Sequence, residues 1–328
     1  NGKGDKRLSA INEMKTFATR SQQGVISILQ AEERSSKVSD INAHWMVNVV
    51  NCTTTRDVIY RLSEHPDVHI ILYNKEEKLI DDSNPVKTDK QRGMAENVMT
   101  VNANDVWNEG YTGEDVIVAV LDTGVNIDHV DLADHLWDGS YLGYPYHGWN
   151  CVEDNEYTYD YHSHGTHCAG TICGDGTSGT QTGVAPDATL MCVKILNDEG
   201  EGTLEDFIEG VEFAVYNGAQ VLSISVGWTY PSTYVSEVMR ELFENVLASG
   251  VVASVAAGND RDEVDSYPIP RNINAPGNCP PPYLSNDQLA NPGGMSAVVT
   301  VGAVDYYDEA AYFTSEGPVT WQDTYYGD

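Results

Sequence analysis

Eighteen lysines and arginines stand against fifty aspartates and glutamates in 328 residues, a formal net charge of −32. A surface this acidic repels phosphate backbones, which argues against nucleic acid as a partner, and no run of about 18 apolar residues is present to span a membrane. The length suits one large domain with a small one, or two of medium size, and a hydrophobic share of 41% is ordinary for a globular chain.

In chain order, residues 1–80 read as a small α+β unit. Ile11–Ala31 carries loose helical periodicity and His44–Val50 alternates as a strand. Thr54–Leu62 reads as a helix capped by Thr53 or Thr54 and ended by His65–Pro66, and Asp67–Tyr73 as a second strand. The polar stretch Asn74–Glu96 follows, with Asp81–Asp82, Asn84–Pro85 and Arg92–Gly93, so that residues 81–97 have the composition of a linker.

From residue 98 to 328 strands and helices alternate, and the strands are continuously apolar: Asp115–Asp122, Ala188–Leu196, Gln220–Val226, Val251–Ala257 and Ala297–Ala303. Thr203 can cap Leu204–Tyr216, which sets Leu204, Ile208 and Val211 on one face and has Gly218 just past its end. Ser232–Ser249 sets Val235, Val238, Leu242 and Val246 on one face and stops at Gly250. This alternation predicts an α/β fold, a parallel sheet with helices on both faces, in which ligands gather at the carboxyl ends of the strands.

The six cysteines, Cys52, Cys151, Cys168, Cys173, Cys192 and Cys279, form no CxxC pair, so zinc-ribbon spacing is absent. Cys168 and Cys192 sit in apolar surroundings and read as buried thiols. A chain this long folds without disulfides, so cysteine usage leaves the compartment open. The opening NGKGDKRLSAINEM has no apolar core segment and does not read as a signal peptide.

Three features fall at strand or helix ends. Asp122 ends an apolar strand and precedes Thr123–Gly124; His164 stands in HSHGTHCAG, where a loop leads into a helix; Asn259 follows a strand and Gly258. A serine hydroxyl is a weak nucleophile that needs an imidazole base, a carboxylate to orient the imidazole, and a fixed donor for the oxyanion. These three residues are of the types that supply the last three parts. His162, His164 and His167 lie within six residues, close enough in sequence for a metal site, or for one base with two neighbours.

The ordered set VAVLDTGV, HGTHCAGT, NDEGEG, VLSISVGW, VAAGND, VTVGAVD and YFTSEGP resembles the subtilisin-like serine proteases, from about Val98 to Pro318. The resemblance implies a subtilisin-like parallel sheet with helices on both faces, preceded by a small α+β propeptide domain. It implies a serine endopeptidase working through an acyl-enzyme, with Asp122 orienting, His164 as base and Asn259 as oxyanion donor. Gly200, Glu201 and Gly202 would form one substrate-binding strand, Ser225, Val226 and Gly227 the facing one, and Asp260 the edge of the first subsite. His167 is then expected to face into the fold, and His162 to line the second subsite. The propeptide would act as inhibitor, its Asn84–Arg92 region lying in the cleft and processing falling near Lys90–Gly93. Substrates would be peptides or proteins, and the address secreted, cell-surface or periplasmic.

The Gly-Thr-Ser-Met-Ala type stretch that carries the family's nucleophile does not occur in the chain. The serine is therefore expected on a second chain or a C-terminal segment, and the absence of its helix should leave one sheet face uncovered. The alternative is a catalytically inactive scaffold or binding protein. Asp198, Glu199, Glu201 and Asp260 form an acidic rim that would favour Lys or Arg in substrates. Calcium is expected as a structural stabiliser, with Gly174–Gly183 matching the family's calcium loop in length and Thr177 where relatives carry an amide ligand. Cys168, next to His167, would make a completed enzyme sensitive to mercurials.

Overall fold

The computed structural model describes residues 2–78, 93–229, 231–263, 265–266, 268–269, 271–279, 296–305 and 307–319. Its centre is a parallel sheet in the order β12-β11-β10-β5-β8-β6. These strands are β5 (Ile117–Asp122), β6 (Gly148–Asn150), β8 (Thr189–Lys194), β10 (Val221–Ile224), β11 (Val252–Ala256) and β12 (Val298–Val301). The five apolar runs read from the sequence become β5, β8, β10, β11 and β12, β5 trimmed at its start and the others at both ends. β6 is a sixth strand, at the edge beside β8.

Alternation along β5 divides the core. Ala119 and Leu121 face a layer containing Phe207, Ile208, Val211, Leu242 and Val246, which come from α6 (Leu204–Tyr216) and α7 (Thr233–Ala248). Val118 and Val120 face Ala169 and Cys173 of α5 (His164–Cys173). Both faces of the strand are thus buried, which is why it reads as an unbroken apolar run. Thr203 caps α6 in a reciprocal capping box with Asp206, and Ser232 caps α7 by accepting from Val235 N. On the α5 side, however, β11 and β12 carry no helix among the described residues: Val252, Val299 and Val301 are 45%, 51% and 49% exposed.

The N-terminal unit consists of α1 (Gly2–Glu33), the antiparallel pair β1 (Val38–Ala43) and β2 (Val50–Thr54), and α2 (Arg56–Ser63). Leu29, Val38, Val58 and Leu62 form its own small core. The helix predicted at Thr54–Leu62 is α2, with Thr55 in the cap position. The strand expected at His44–Val50 is instead, up to Val49, the connection between β1 and β2, and Val50 opens β2. Its apolar residues do not alternate across a sheet: Met46 and Val47 are buried in the larger core, against the neighbouring domain. Asp67–Tyr73, also expected as a strand, forms no ladder, and Ile71 and Tyr73 are exposed.

Glu212 of α6 fastens that connection. Its Oε1 accepts from Trp45 N at 2.5 Å and Met46 N at 2.7 Å, and its Oε2 lies 3.4 Å from His44 Nδ1. Asn42 Nδ2 and Asn74 Nδ2 both donate to Glu205, at the start of the same helix. Arg7 donates to Val215 O, and Lys15 stands over the Tyr216 ring at 3.6 Å. The helix α1 thus packs its first half on the sheet domain and its second half on the small core.

Short elements complete the chain. β3 (Glu77–Lys78) pairs antiparallel with β9 (Glu201–Gly202), and β4 (Gly93–Met94) pairs parallel with β7 (Thr180–Gln181). Two short helices, α3 (Glu96–Thr100) and α4 (Ala103–Asn108), lead into β5. The expected cleft-filling stretch Asn84–Arg92 lies outside the described residues.

Replacing Glu212 by alanine leaves one buried and one part-buried amide without an acceptor, at an expected cost of about 2–4 kcal/mol. Hydrogen exchange should quicken at Trp45 and Met46 while the β5 amides keep their protection relative to global stability. Unchanged exchange at those two amides would show that the carboxylate holds nothing there.

Candidate functional site

Asp122 is the last residue of β5 and is 1% exposed; His164 is the first of α5. The imidazole Nδ1 lies 2.8 Å from Asp122 Oδ1, which also accepts from Thr123 N at 2.7 Å. A carboxylate at this nitrogen sets the tautomer of the neutral ring: Nδ1 keeps the proton and donates, and Nε2 is the nitrogen that loses or takes one. Burial lowers the imidazole pKa, but the hydrogen bonds to Asp122 and Cys168 and the charge of Asp122 prevail, and it is pushed up to about 10.

Two glycines let the strand end and the helix start approach this closely. Gly124 has φ +101°, and a Cβ there would stand 2.4 Å from Thr158 O. A Cβ on Gly165 would stand 2.1 Å from Gly124 O and 3.1 Å from Asp122 Oδ1. Neither position has space for a side chain, since the obstructing atoms are mostly backbone.

The loop before the helix is organised by Asp160, which sequence reasoning missed. Its Oδ1 accepts from Thr123 Oγ1, His162 N and Ser163 N, each at 2.9 Å, and its Oδ2 from Thr166 N at 2.9 Å and Thr166 Oγ1 at 2.5 Å. Thr123 Oγ1 in turn accepts from Gly165 N at 3.0 Å. Ser163 is held at φ +85°, a costly left-handed conformation for a non-glycine residue, immediately before His164. Burial raises the Asp160 pKa, but these donors outweigh it and hold the carboxyl below its ordinary value. Lys194 was missed as well: buried at the end of β8, its Nζ donates to Thr123 O at 2.7 Å and to Asp198 Oδ1 at 3.0 Å.

The parallel register carries the other predicted residues to the same edge. Leu121 pairs with Ile224 and Ile224 with Val255, so Asp122, Ser225 and Ala256 are level on adjacent strands. Strand spacing of about 4.8 Å sets the Asn259 turn about 10 Å across the sheet from Asp122. Asn259 is exposed, in a turn whose Gly258 has φ +109° and whose carbonyl accepts from Ser315 N.

Comparison with known proteins places this arrangement. The subtilase family matches residues 113–327. The chain belongs to the subtilase family. It is 32% identical over 218 residues to Subtilisin DY of Bacillus licheniformis, covering 66% of each chain. It is 30% identical over 314 residues to Serine protease AprX of Bacillus subtilis, covering 90% of this chain and 60% of that one. It is 31% identical over 227 residues to the Major intracellular serine protease of the same species, covering 68% and 61%. The aligned part therefore spans about two thirds of these relatives' lengths or less.

In this subtilase the residues expected to bind substrate are arranged as follows. Glu201 and Gly202 form β9, and Gly200 sits at φ +78° in a turn where Asn197 Oδ1 accepts from Glu199 N and Glu201 N. β3 occupies the outer edge of β9, with Lys78 opposite Glu201. Ser225, Val226 and Gly227 continue beyond β10 without a ladder; the Val226 side chain is buried, leaving its backbone to act. Asp260 is fixed through its backbone by Ser315 Oγ and Asn272 Nδ2.

The three histidines do not converge. His162 and His164 have ring centroids 6.3 Å apart, but His167 is exposed, a correction to its expected inward position. Gly165, Ala169 and Cys173 form the buried stripe of α5, and His167 lies on the other side of the helix. There it lines a groove of about 510 Å³ with His129 and Thr182. Cys168 Sγ is 3.9 Å from His164 Nδ1, and burial raises its pKa, so it stands there as a thiol.

The Gly174–Gly183 loop is closed by its own hydrogen bonds. Asp131 accepts from Ser178 N at 2.5 Å and Ser178 Oγ at 2.6 Å, while Thr177 N and Oγ1 donate to Asp175.

Asp160→Ala leaves three amide donors unsatisfied beside His164, at an expected cost of about 2–4 kcal/mol. Because the native pKa of Asp160 is depressed, the stabilisation it supplies is present above the unfolded carboxyl value of about 4 and is lost as pH falls through the native one. The wild type should show this acid limb in urea midpoints measured between pH 6 and 2, and Asp160→Asn a flatter one. Parallel limbs would refute the role.

Proposed function

We propose that this chain supplies the base, its orienting carboxylate and an oxyanion donor to a serine endopeptidase. The observation that carries the reading is the His164–Asp122 pair: a carboxylate that is 1% exposed holds one imidazole nitrogen at 2.8 Å, and the other has no hydrogen-bond partner among the described residues. That second nitrogen takes the proton of an attacking serine hydroxyl and later returns it to the leaving amine. Asp122 stabilises the imidazolium that forms between these steps. Asn259, at the same sheet edge, is the side-chain amide available to the tetrahedral oxyanion.

In this reading the serine comes from a segment outside these 328 residues. The exposed Val252, Val299 and Val301, beside the Ser225 level of the sheet and without a covering helix among the described residues, support it, because a further helix there would bury them. Residues 2–78 act as an inhibitory propeptide, a reading supported by Glu77–Lys78 lying along Glu201–Gly202 as an antiparallel strand. The pairing of Lys78 with Glu201 favours basic residues at that subsite. Asp198 is engaged by Lys194 and contributes less to the acidic rim. The proposed site of action is secreted or cell-surface, in keeping with an acidic, soluble surface.

Fluorophosphonate labelling, read by intact mass before and after mild proteolysis of the N-terminal unit, tests the reading. Label on a serine of a completing segment is the expected result, and absence of label on every species would leave a nucleophile-free scaffold. In the completed enzyme, peptide hydrolysis should climb with pH toward about 10, because the raised imidazole must lose its Nε2 proton to act as base. Asp122→Asn should lower kcat by about 10⁴-fold and move this limb to lower pH. A limb that stays in place would assign it to another group.

A further inference from the structure

A second set of ligating atoms lies apart from the His164 pair, where the turn after Asp131 meets the Gly174–Gly183 loop. Asp134, His135 and Asp175 each offer one ligand atom, all within 4.8 Å of one another. His135 Nε2 is 3.4 Å from Asp134 Oδ1 and 3.9 Å from Asp175 Oδ2. The nitrogen is sealed from solvent, yet it has no hydrogen-bond partner. At 3.4 Å the Asp134 oxygen is near enough to bond, so it fails on direction, standing off the axis along which the ring nitrogen's hydrogen or lone pair points.

That arrangement suits a metal better than an ion pair. In an ion pair the oxygen lies on the nitrogen's axis; in a coordination site the ion takes the axis and the other ligands stand around it. Tetrahedral zinc with bonds of ~2.0–2.1 Å places neighbouring ligand atoms ~3.3 Å apart. The Asp134–His135 separation matches this, that of Asp175 from His135 exceeds it by about 0.6 Å, and all three atoms lie within 4.8 Å of one another, so binding would draw the Asp175 side in. A buried imidazole nitrogen without a partner is also costly, and an ion would remove that cost.

The frame is preformed. Leu190 N, in β8, donates to His135 O at 2.7 Å, Asp175 N approaches Asp131 O at 3.5 Å, and Ser178 ties the loop to Asp131. The Asp175 carboxylate is aimed by Thr177 N and Oγ1. The Asp134 side chain is 72% exposed, which leaves an open side for solvent to complete the coordination.

We propose that Asp134, His135 and Asp175 bind a divalent transition-metal ion of the zinc class. The ion clasps the turn after Asp131 to the Gly174–Gly183 loop. One imidazole with two carboxylates favours zinc over calcium, which takes six to eight oxygens.

The test uses the full chain, stripped by dialysis against a chelator and titrated with zinc chloride. The readouts are metal content by mass spectrometry after desalting and the midpoint of thermal unfolding. One retained equivalent and a zinc-dependent rise in Tm are expected. Both should be lost in His135→Gln and weakened at least about tenfold in Asp134→Asn, whose exposed position leaves the fold intact. Zinc retained in both variants but lost in His164→Ala would belong to the Asp122, His164 and Cys168 group and would overturn the proposal. So would the absence of any retained zinc, or calcium outcompeting zinc at these residues.

Discussion

The meeting of the end of β5 with the start of α5 is the constraint on which the site depends. A strand residue and a helix residue, 42 positions apart, share one 2.8 Å hydrogen bond. This is possible only because Gly124 and Gly165 bring two backbones into contact where a Cβ would overlap carbonyl oxygens. Asp160 then fixes the loop from behind with five hydrogen bonds. The imidazole is aimed by packing and backbone geometry before any substrate arrives, which is what a base must have if its proton transfer is not to wait on reorganisation.

A second organising element is α6. Its acidic side chains take up the N-terminal unit through backbone amides and side-chain amides, with His44 beside Glu212. Just ahead of the helix, β9 receives Glu77–Lys78 as a partner strand. One short region of the sheet domain thus holds both the body of the N-terminal unit and the chain that leaves it. With such a double attachment, release of the strand and release of the body become separate events.

Much of the fold was legible because its central strands are buried on both faces, and five apolar runs in an acidic chain stand out. The caps at Thr203 and Ser232 were legible for a similar reason, as each is a local hydrogen-bonding choice. His44–Val50 misled because alternation of apolar residues reports burial, not the element that does the burying; here the segment docks on α6 and α7. β6 was invisible, since Gly148–Asn150 is too short to carry a period. His167 was misplaced because the start of α5 sets the phase of its buried face, and a shift of two residues turns a side chain from core to solvent.

Asp122, His164 and Asn259 could be chosen from the sequence because each stands within two residues of a glycine at an element end, where backbone turns expose polar groups. Asp160 and Lys194 could not. One precedes its loop among tyrosines, the other closes an apolar strand, and neither residue type announces a partner. The sequence by itself determined the parallel sheet, the helix caps and the residue types that meet at its carboxyl edge, because these follow from burial and local hydrogen bonding. Only the tertiary structure decided which histidine meets a carboxylate, which acid organises the loop, and where the N-terminal unit lies. The first rests on a contact 42 positions apart, the second on Asp160 joining its own loop to Thr123, 37 positions away, and the third on contacts 131 to 208 positions apart, which chain closure and packing set and local preference does not.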